Sequence, residues 1–485
     1  MHADRVDGRL NSWPDRFWGY VFLGTVGSLG AVLTGATIGS NPRPHDYQWW
    51  LRVPEVNYAI AHVLFYSSVA LLTIGWVGVG VHAMKGRLTA KRAWSVLTLW
   101  GSPLIVGTPV FGRDVYSYVA QGELVRRGFN PYLIAPKALG GGPLLSSIAN
   151  VWHNTTSPYG PLFVELTRVT ATMSGGSLMV QVIAFRLLEL VGVVLLMVFL
   201  PVVARHFGAD GGVAVWLGVL SPLALFSAVT SAHNDTLMLG LMVTALAVGL
   251  RGARRWAVVL FAVAATIKLP ALAGIVFLYT GPWREGSIRN RVRLTFEASV
   301  VTTVVIVAIT EAAGFGWTWL SSHALSIPTE LRVLTSPTVS VGLLLGSLGH
   351  AFGMRASSRG FVTFTQHLAE VLAVLGVTLL VLRAKSDRSA RYLGFALLVV
   401  VIGSPTVWPW YFLWGITMLA GTSAQRSRFL AGVAGLAMLL VGPGGTPMIG
   451  GNGFYVSGPL VVAGLVWFFA SGQWRSVSGG MDHVV

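Results

Sequence analysis

The chain has 485 residues, of which 54% are hydrophobic and only 11% charged, and its mean hydropathy is +0.67. This composition excludes an assembly of soluble domains and indicates an all-α polytopic membrane protein, with a single integral membrane domain over residues 1–485. The formal net charge of +16 comes mainly from short loops between apolar segments, which is typical of cytoplasmic anchoring against anionic lipid rather than of nucleic-acid binding. The absence of cysteine excludes disulfides, thiolate catalysis and Cys-ligated metal.

The first apolar segment, residues 17–39, is long enough to span a bilayer and follows Arg5, Arg9 and Arg16. It predicts an uncleaved first helix with a cytoplasmic N-terminus. Hydropathy and the positions of the basic loops together predict a bundle of about 13–14 transmembrane helices. The predicted crossings are residues 17–39, 57–84, 93–111, 178–207, 212–231, 235–250, two short helices within 256–280, 294–313, 361–382, 392–403, 410–419, 429–441 and 454–470.

Two segments decide the predicted topology. A single crossing over residues 256–280 would place the Arg-rich loop after it outside, against the positive-inside rule. We therefore predict a hairpin of two short helices with Lys268-Leu269-Pro270 at its tip, because proline breaks a helix, and with Lys268 at the outer interface. The Gly-rich run 340–353 is predicted to be re-entrant or to lie on the membrane surface, since a crossing there would place the later basic loops outside.

On this topology residues 112–177 form the main extracytoplasmic loop, and Asp114 lies where the third crossing ends. The apolar residues of 114–127 recur at helical spacing, which predicts a short interfacial helix along the membrane surface. A carboxylate at the outer interface could take a proton from the hydroxyl of a reactant that the membrane presents. An aspartate before a helix is also a favoured N-cap, so the residues alone leave both roles open for Asp114.

Other polar residues near the outer face are candidates for binding a substrate. Arg113 and Lys268 could neutralise a lipid phosphate, or could extend to the interface as ordinary snorkelling cations. For Lys268 the functional role is favoured, because a cation inside an apolar hairpin is costly without a partner. Asn234 and Asp235 could bind sugar hydroxyls or could cap the sixth helix, and His233 beside them is by itself weak evidence of a site.

Aromatic residues in or near the predicted external loops are Trp152, Tyr159, Trp317, Trp319, Trp408, Trp410 and Tyr411. Aromatic rings stack on the C–H faces of sugars, but tryptophan and tyrosine also form the interfacial belt of any membrane protein. The histidines have no compact ligand spacing, so the sequence indicates neither a metal site nor a cofactor. Within the fourth crossing, Arg186 and Glu189 are three residues apart and could neutralise each other on a helix.

The chain contains, in this order, the motifs RDVYSY at residues 113–118, NPY at 130–132, SPYGP at 157–161, HND at 233–235, KLP at 268–270 and PWY at 409–411. Together these motifs resemble those of the polyprenol-phosphomannose-dependent α-1,6-mannosyltransferases of actinobacterial cell envelopes. The resemblance spans nearly the whole chain, and its specificity lies in the order of motifs that are individually weak. It implies a glycosyltransferase C-type bundle with an acidic residue in an early external loop.

The resemblance also implies the substrates and the residues that act on them. The donor would be polyprenyl phosphate mannose, and the acceptor a growing α-1,6-mannan on a phosphatidylinositol mannoside, which gives lipomannan and lipoarabinomannan. The enzyme would lie in the plasma membrane with its active site on the extracytoplasmic face. Asp114 is then the expected base, and the expected substrate-binding residues are Arg113, Tyr116, Tyr159, Asn234, Asp235, Lys268 and Trp410.

The mechanism that we expect is a single displacement with inversion at the mannosyl anomeric carbon. Asp114 removes the proton from the 6-hydroxyl of the acceptor, and polyprenyl phosphate leaves from the opposite face. One alternative is a transferase of another sugar, such as arabinose, from the same lipid carrier. Another is a transporter or flippase of a lipid-linked sugar, for which Arg186 and Glu189 would mark the substrate path. Against transport, the sequence has no inverted repeat, and its polar residues cluster on one predicted side rather than at the midplane.

Overall fold

The computed structural model describes residues 16–41, 56–321, 336–353 and 358–436, and within these ranges every regular element is helical. This confirms the all-α prediction. Short 3-10 turns and a π turn connect some of the α-helices. The α-helices are α1 (Phe17–Ile38), α2 (Tyr58–Met84), α3 (Ala90–Val106), α4 (Asp114–Arg126), α5 (Pro143–Ser147), α6 (Pro161–Met173), α7 (Leu178–His206), α8 (Gly211–Gly218), α9 (Pro222–Leu225), α10 (Asp235–Leu250), α11 (Arg254–Ala265), α12 (Ala273–Glu285), α13 (Ile288–Ala313), α14 (Pro337–Ala351), α15 (Ser358–Arg383), α16 (Ser389–Gly403), α17 (Phe412–Ala420) and α18 (Gln425–Leu436).

Five of the described helices, α1, α2, α7, α13 and α15, are long and apolar enough to cross a membrane. A sixth span arises if α8 and the segment that starts with α9, which meet at a bend of 57°, are taken as one. Most of the other predicted crossings correspond to shorter helices such as α10 and α16, so the predicted total of 13–14 stays a prediction. The crossing predicted at 454–470 and the end of the one predicted at 429–441 lie outside the described residues.

Helices α11 and α12 form the predicted hairpin. A Cβ atom built on Gly274 would overlap the ring of Phe261, and one built on Gly249 would touch both Ala257 and Leu278. The start of α12 therefore lies beside the end of α11, and the chain then returns along it. Lys268 lies in the turn between the two helices, before the 3-10 turn Leu269–Leu272, which confirms the predicted tip.

Helix α14 covers most of the Gly-rich run and packs mainly on the first turns of α15. The hydroxyl of Thr365 donates to the carbonyl oxygen of Thr338 at 2.8 Å. The rest of α15 packs on α16, where a Cβ atom on Gly403 would lie 2.5 Å from that of Ala373. Helix α14 therefore lies alongside the part of α15 that extends past α16, which favours the prediction that this segment does not cross.

The basic loops lie together at one end of the bundle. A Cβ atom built on Gly212 would lie 2.6 Å from the carbonyl oxygen of Leu88, so the loop after α2 touches the start of α8. The guanidinium of Arg284 donates to the carbonyl oxygen of Val381 at 2.9 Å, which brings the end of α12 to the end of α15. The opposite ends of these helices carry the segments before α4 and α10 and the turn at Lys268.

The loop predicted at residues 112–177 is part of the protein body. Its first helix, α4, forms as the helical spacing predicts, but eleven of its thirteen residues are buried. A Cβ atom on Gly122 would overlap the backbone of Thr167 in α6, so the two helices touch closely. Because α6 packs on it and most of its residues are buried, α4 is more enclosed than a helix that lies on a membrane surface with one face in water, which corrects the interfacial-helix prediction.

Candidate active site

Asp114 lies at the first position of α4, with 8% of its surface exposed. Its Oδ1 accepts a hydrogen bond from the indole N–H of Trp152 at 3.1 Å, and its Oδ2 lies 3.4 Å from Nδ1 of His233. The N-cap position belongs to Arg113, which makes no side-chain cap. The carboxylate of Asp114 thus binds groups from other segments rather than capping its own helix.

The segment between α9 and α10 brings the second acidic motif to the same place. It consists of the π turn Phe226–Thr230, followed by residues 231–234, and the hydroxyl of Ser231 donates to the carbonyl oxygen of Val110. This bond joins the segment to the chain just before Asp114.

The backbone is strained just before Asp114 and just before His233. Among the described residues other than glycine, only Phe111 and Ala232 have positive φ angles, +68° and +51°. One lies three residues before Asp114 and the other directly before His233. Such conformations cost on the order of 1–3 kcal/mol and persist only where the surrounding packing fixes them. The packing at both motifs therefore holds the backbone in a geometry that local sequence disfavours.

Asp235 forms a buried ion pair. Its Oδ1 accepts hydrogen bonds from the ammonium of Lys268 at 2.7 Å and from the indole N–H of Trp414 at 2.6 Å. The ammonium also lies 4.4 Å from the ring centre of Tyr411, within the range of a cation–π contact. The high cost that the sequence suggests for Lys268 is thus offset by a partner within the protein.

Asn234 occupies the N-cap position of α10 but makes no side-chain cap. Its side chain is fully buried, and neither its amide oxygen nor its nitrogen has a hydrogen-bond partner among the described residues. Oδ2 of Asp235 has none there either. A buried polar group without a partner costs about 1–3 kcal/mol, which points to a ligand or ordered water at these atoms. The capping alternatives for Asn234 and Asp235 are therefore wrong.

Arg113 and Tyr116 bind the start of α4 to the chain that follows α1. The guanidinium of Arg113 donates to the carbonyl oxygens of Asn41 and Ser147, both at 2.9 Å. The hydroxyl of the fully buried Tyr116 donates to the carbonyl oxygen of Ser40 at 2.6 Å. These bonds give both residues a structural part, and their predicted contact with substrate stays a prediction.

Tyr159 is close enough to both Asp114 and Asp235 for their charges to act on its hydroxyl, and its ring centre lies 6.0 Å from the ammonium of Lys268. Burial, aided by the nearby charge of Asp114, raises the pKa of the Tyr159 hydroxyl well above its usual range. The hydroxyl therefore stays protonated and can donate a hydrogen bond.

Trp410 is enclosed by other rings. His233 stacks on it with ring centres 3.6 Å apart, and Trp408 lies parallel to it at 5.1 Å. Only 2% of Trp410 is exposed. A sugar could stack on this ring only if a neighbouring ring moved, so the structure gives Trp410 a packing role.

Arg186 and Glu189 of α7 bind the backbone on either side of the His233-Asn234-Asp235 motif. The guanidinium of Arg186 donates to the carbonyl oxygen of Thr230 at 2.7 and 3.1 Å, and Glu189 accepts from the backbone N–H of Leu237 at 2.9 Å. Arg186 thus lies at the C-terminal end of the π turn and Glu189 at the N-terminal end of α10, where the backbone dipole stabilises a group of each kind. The two side chains bind the backbone instead of neutralising each other as the sequence suggests.

Three residues of this site have weak local signals in the sequence. His233 is a lone histidine, Trp152 is one of the aromatic residues expected at a membrane interface, and Trp414 lies inside a predicted crossing. The adjacency of His233 to Asn234 and Asp235 was the available signal. The contacts of the two tryptophans join positions far apart in the chain, so no local signal could identify them.

The chain is similar to known proteins over most of its length. Residues 21–283 match the family model described as "Alpha-(1->6)-mannopyranosyltransferase, N-terminal domain", and residues 338–471 match the "MptB C-terminal domain" model. Alpha-(1->6)-mannopyranosyltransferase A of Mycobacterium tuberculosis is 31% identical, with 87% of this chain and 84% of the relative covered. Alpha-(1->6)-mannopyranosyltransferase B of Corynebacterium glutamicum is 27% identical, with 87% and 76% covered. No solved structure matches the chain.

Proposed function

Because this chain belongs to the alpha-(1->6)-mannopyranosyltransferase family, we propose that it transfers mannose from polyprenyl phosphate mannose to the 6-hydroxyl of an α-1,6-mannan. The chain is a glycosyltransferase, and its relatives support mannose as the transferred sugar. The acceptor is a phosphatidylinositol mannoside or its extended mannan, so the product is the backbone of lipomannan and lipoarabinomannan.

The observation that carries the proposal is the environment of Asp114, a buried carboxylate that accepts a hydrogen bond from Trp152, faces the imidazole of His233 at 3.4 Å and has no capping role. Each carboxylate oxygen has two lone-pair directions, so the contacts with Trp152 and His233 leave capacity for a hydroxyl proton. The acceptor oxygen attacks the anomeric carbon as Asp114 takes its proton. The bond from that carbon to the phosphate oxygen breaks, and its electron pair leaves with polyprenyl phosphate. A β-linked donor then gives an α-linked product.

The departing phosphate needs donors rather than a second acid, because it leaves readily without a proton. The ammonium of Lys268 has three donors and gives one to Asp235, so two can bind phosphate oxygens. Tyr159 adds a protonated hydroxyl close by. Asn234 and the second oxygen of Asp235 are buried without partners and suit the hydroxyls of a sugar.

The position of the site supports an extracytoplasmic reaction in the plasma membrane. The site lies at the end of the bundle opposite the basic loops, and such loops are retained on the cytoplasmic side. A donor carried by a polyprenyl lipid, rather than a soluble nucleotide sugar, suits that side. For a flippase no specific observation remains, since Arg186 and Glu189 bind the backbone.

The test is mannose transfer in membranes that contain wild type or Asp114→Asn at equal amounts. The donor is polyprenyl phosphate mannose and the acceptor a short α-1,6-mannoside. We expect a loss of about 10²–10⁴-fold in the variant, because the base is removed without a change of shape. Asp387→Asn, which changes an exposed carboxylate beside Arg388 at the basic end, is the matched control and retains full transfer.

Parallel assays separate the alternatives. Polyprenyl phosphate arabinose replaces the donor in one assay, and GDP-mannose in another. Transfer of arabinose but not mannose would overturn the proposed sugar, and transfer from GDP-mannose alone would overturn the lipid-linked donor. Full mannose transfer by Asp114→Asn would remove Asp114 as the base.

A further inference from the structure

His233 is buried beside Asp114, and its two ring nitrogens make no other polar contact with the described residues. The ring is 1% exposed, and neither nitrogen has an aligned hydrogen-bond partner among the residues that the structure describes. Its Nδ1 nevertheless lies only 3.4 Å from Oδ2 of Asp114. Catalytic hydrogen bonds are often long without substrate and tighten in the complex, so this distance fits a contact that closes when the acceptor binds.

Three features fix the ring of His233. It stacks on Trp410 with an interplanar angle of 14°. A Cβ atom built on Gly112 would lie 2.9 Å from Cε1 and 3.0 Å from Nε2 of the imidazole, so residue 112 must be glycine for the ring to fit. The positive φ of Ala232 sets the direction in which the side chain leaves the backbone. The packing therefore determines where Nδ1 points.

We propose that His233 is a positioning residue for the transfer, which fixes the carboxylate plane of Asp114 through Nδ1–H. The inference rests on the function proposed above, in which Asp114 is the base. Trp152 donates to Oδ1 and His233 to Oδ2, so one donor holds each oxygen. In this step the imidazole keeps its Nδ1 proton. The hydroxyl proton of the acceptor goes to a free lone pair of Asp114, and His233 takes no proton.

Three substitutions separate a hydrogen-bond donor from a packing ring. His233→Asn keeps an N–H close to the position of Nδ1, whereas His233→Gln places its amide near the position of Nε2. His233→Phe keeps a ring that can stack on Trp410 but has no donor. We expect kcat to fall about 10–100-fold in the Gln and Phe variants, with KM unchanged, and only a few-fold in the Asn variant. Equal losses in all three, or wild-type kcat in the Phe variant, would overturn the proposal.

Gly112→Ala tests the same geometry without a change in any polar group. The added methyl group must displace the ring of His233, and we expect a fall in kcat similar to that of His233→Phe. The amount of inserted protein and its thermal stability are measured for every variant. A stable Gly112→Ala protein with wild-type kcat would contradict the proposed role of the ring.

A double-mutant cycle distinguishes this inference from the proposed function. If His233 acts through Asp114, the residual kcat of the double variant Asp114→Asn/His233→Phe equals that of Asp114→Asn alone. Multiplied losses would show that His233 acts independently and would overturn the inference while Asp114 remains the base. Absence of mannose transfer by the wild type would instead overturn the proposed function.

Discussion

Asp114 and Asp235 are both buried carboxylates at the same end of the bundle, but their partners differ in charge. Asp235 is bound by the ammonium of Lys268 at 2.7 Å. Asp114 accepts from the indole of Trp152 and faces the imidazole of His233. A carboxylate paired with a buried ammonium is a poor base, because protonation would leave the cation without its counter-charge. The difference supports Asp114 as the proton acceptor and Asp235 as the group that holds Lys268.

We expect the largest loss of stability when the ammonium of Lys268 is removed from Asp235. Lys268→Met leaves Asp235 buried without its cation, and we expect a loss of about 3–5 kcal/mol in the free energy of unfolding. The double variant Lys268→Met/Asp235→Leu removes both charges and recovers most of that loss. Lys385→Met changes an exposed lysine and serves as the control. Unfolding of the detergent-solubilised proteins measures all four; an unchanged stability in Lys268→Met would show that Asp235 does not depend on this pair.

A smaller effect follows from removing the second donor to Asp235. Trp414→Phe keeps a ring beside Tyr411 but loses the indole N–H, so we expect a loss of about 1.5–3 kcal/mol in the free energy of unfolding. The exposed Trp256→Phe is the matched control. The same unfolding assay applies. Equal stabilities of the two variants would mean that the ammonium alone holds Asp235.

We expect the smallest loss of stability when Glu189, which binds the start of α10 next to Asp235, is changed. Glu189→Gln replaces the carboxyl oxygen that accepts from the Leu237 N–H by an amide group of similar size, and we expect a loss of about 1 kcal/mol in the free energy of unfolding. The exposed Glu285→Gln at the end of α12 is the control. Because this acceptor holds the start of α10 and not α4, we expect KM to rise more than kcat falls. A fall in kcat alone would link Glu189 to Asp114 instead. It would contradict the assignment of separate roles to Asp114 and Asp235.

Structure and sequence agree where the property is local. The hairpin at Lys268 was predictable because one proline and one basic loop suffice to exclude a single crossing. The all-α fold and the limits of most helices were predictable for the same reason. Hydropathy and charge act on each segment through its transfer from water to lipid, and this depends on composition along the chain.

The roles of individual polar residues were decided only by the tertiary structure. The sequence left Asp114, Asn234 and Asp235 as caps or site residues, and the structure shows that none of them makes a side-chain cap. Trp414 reaches Asp235 across 179 positions of the chain, a contact that no spacing along the sequence can reveal. Local transfer energies fix which segments become helices, whereas the partners of a buried carboxylate depend on how distant helices pack against each other.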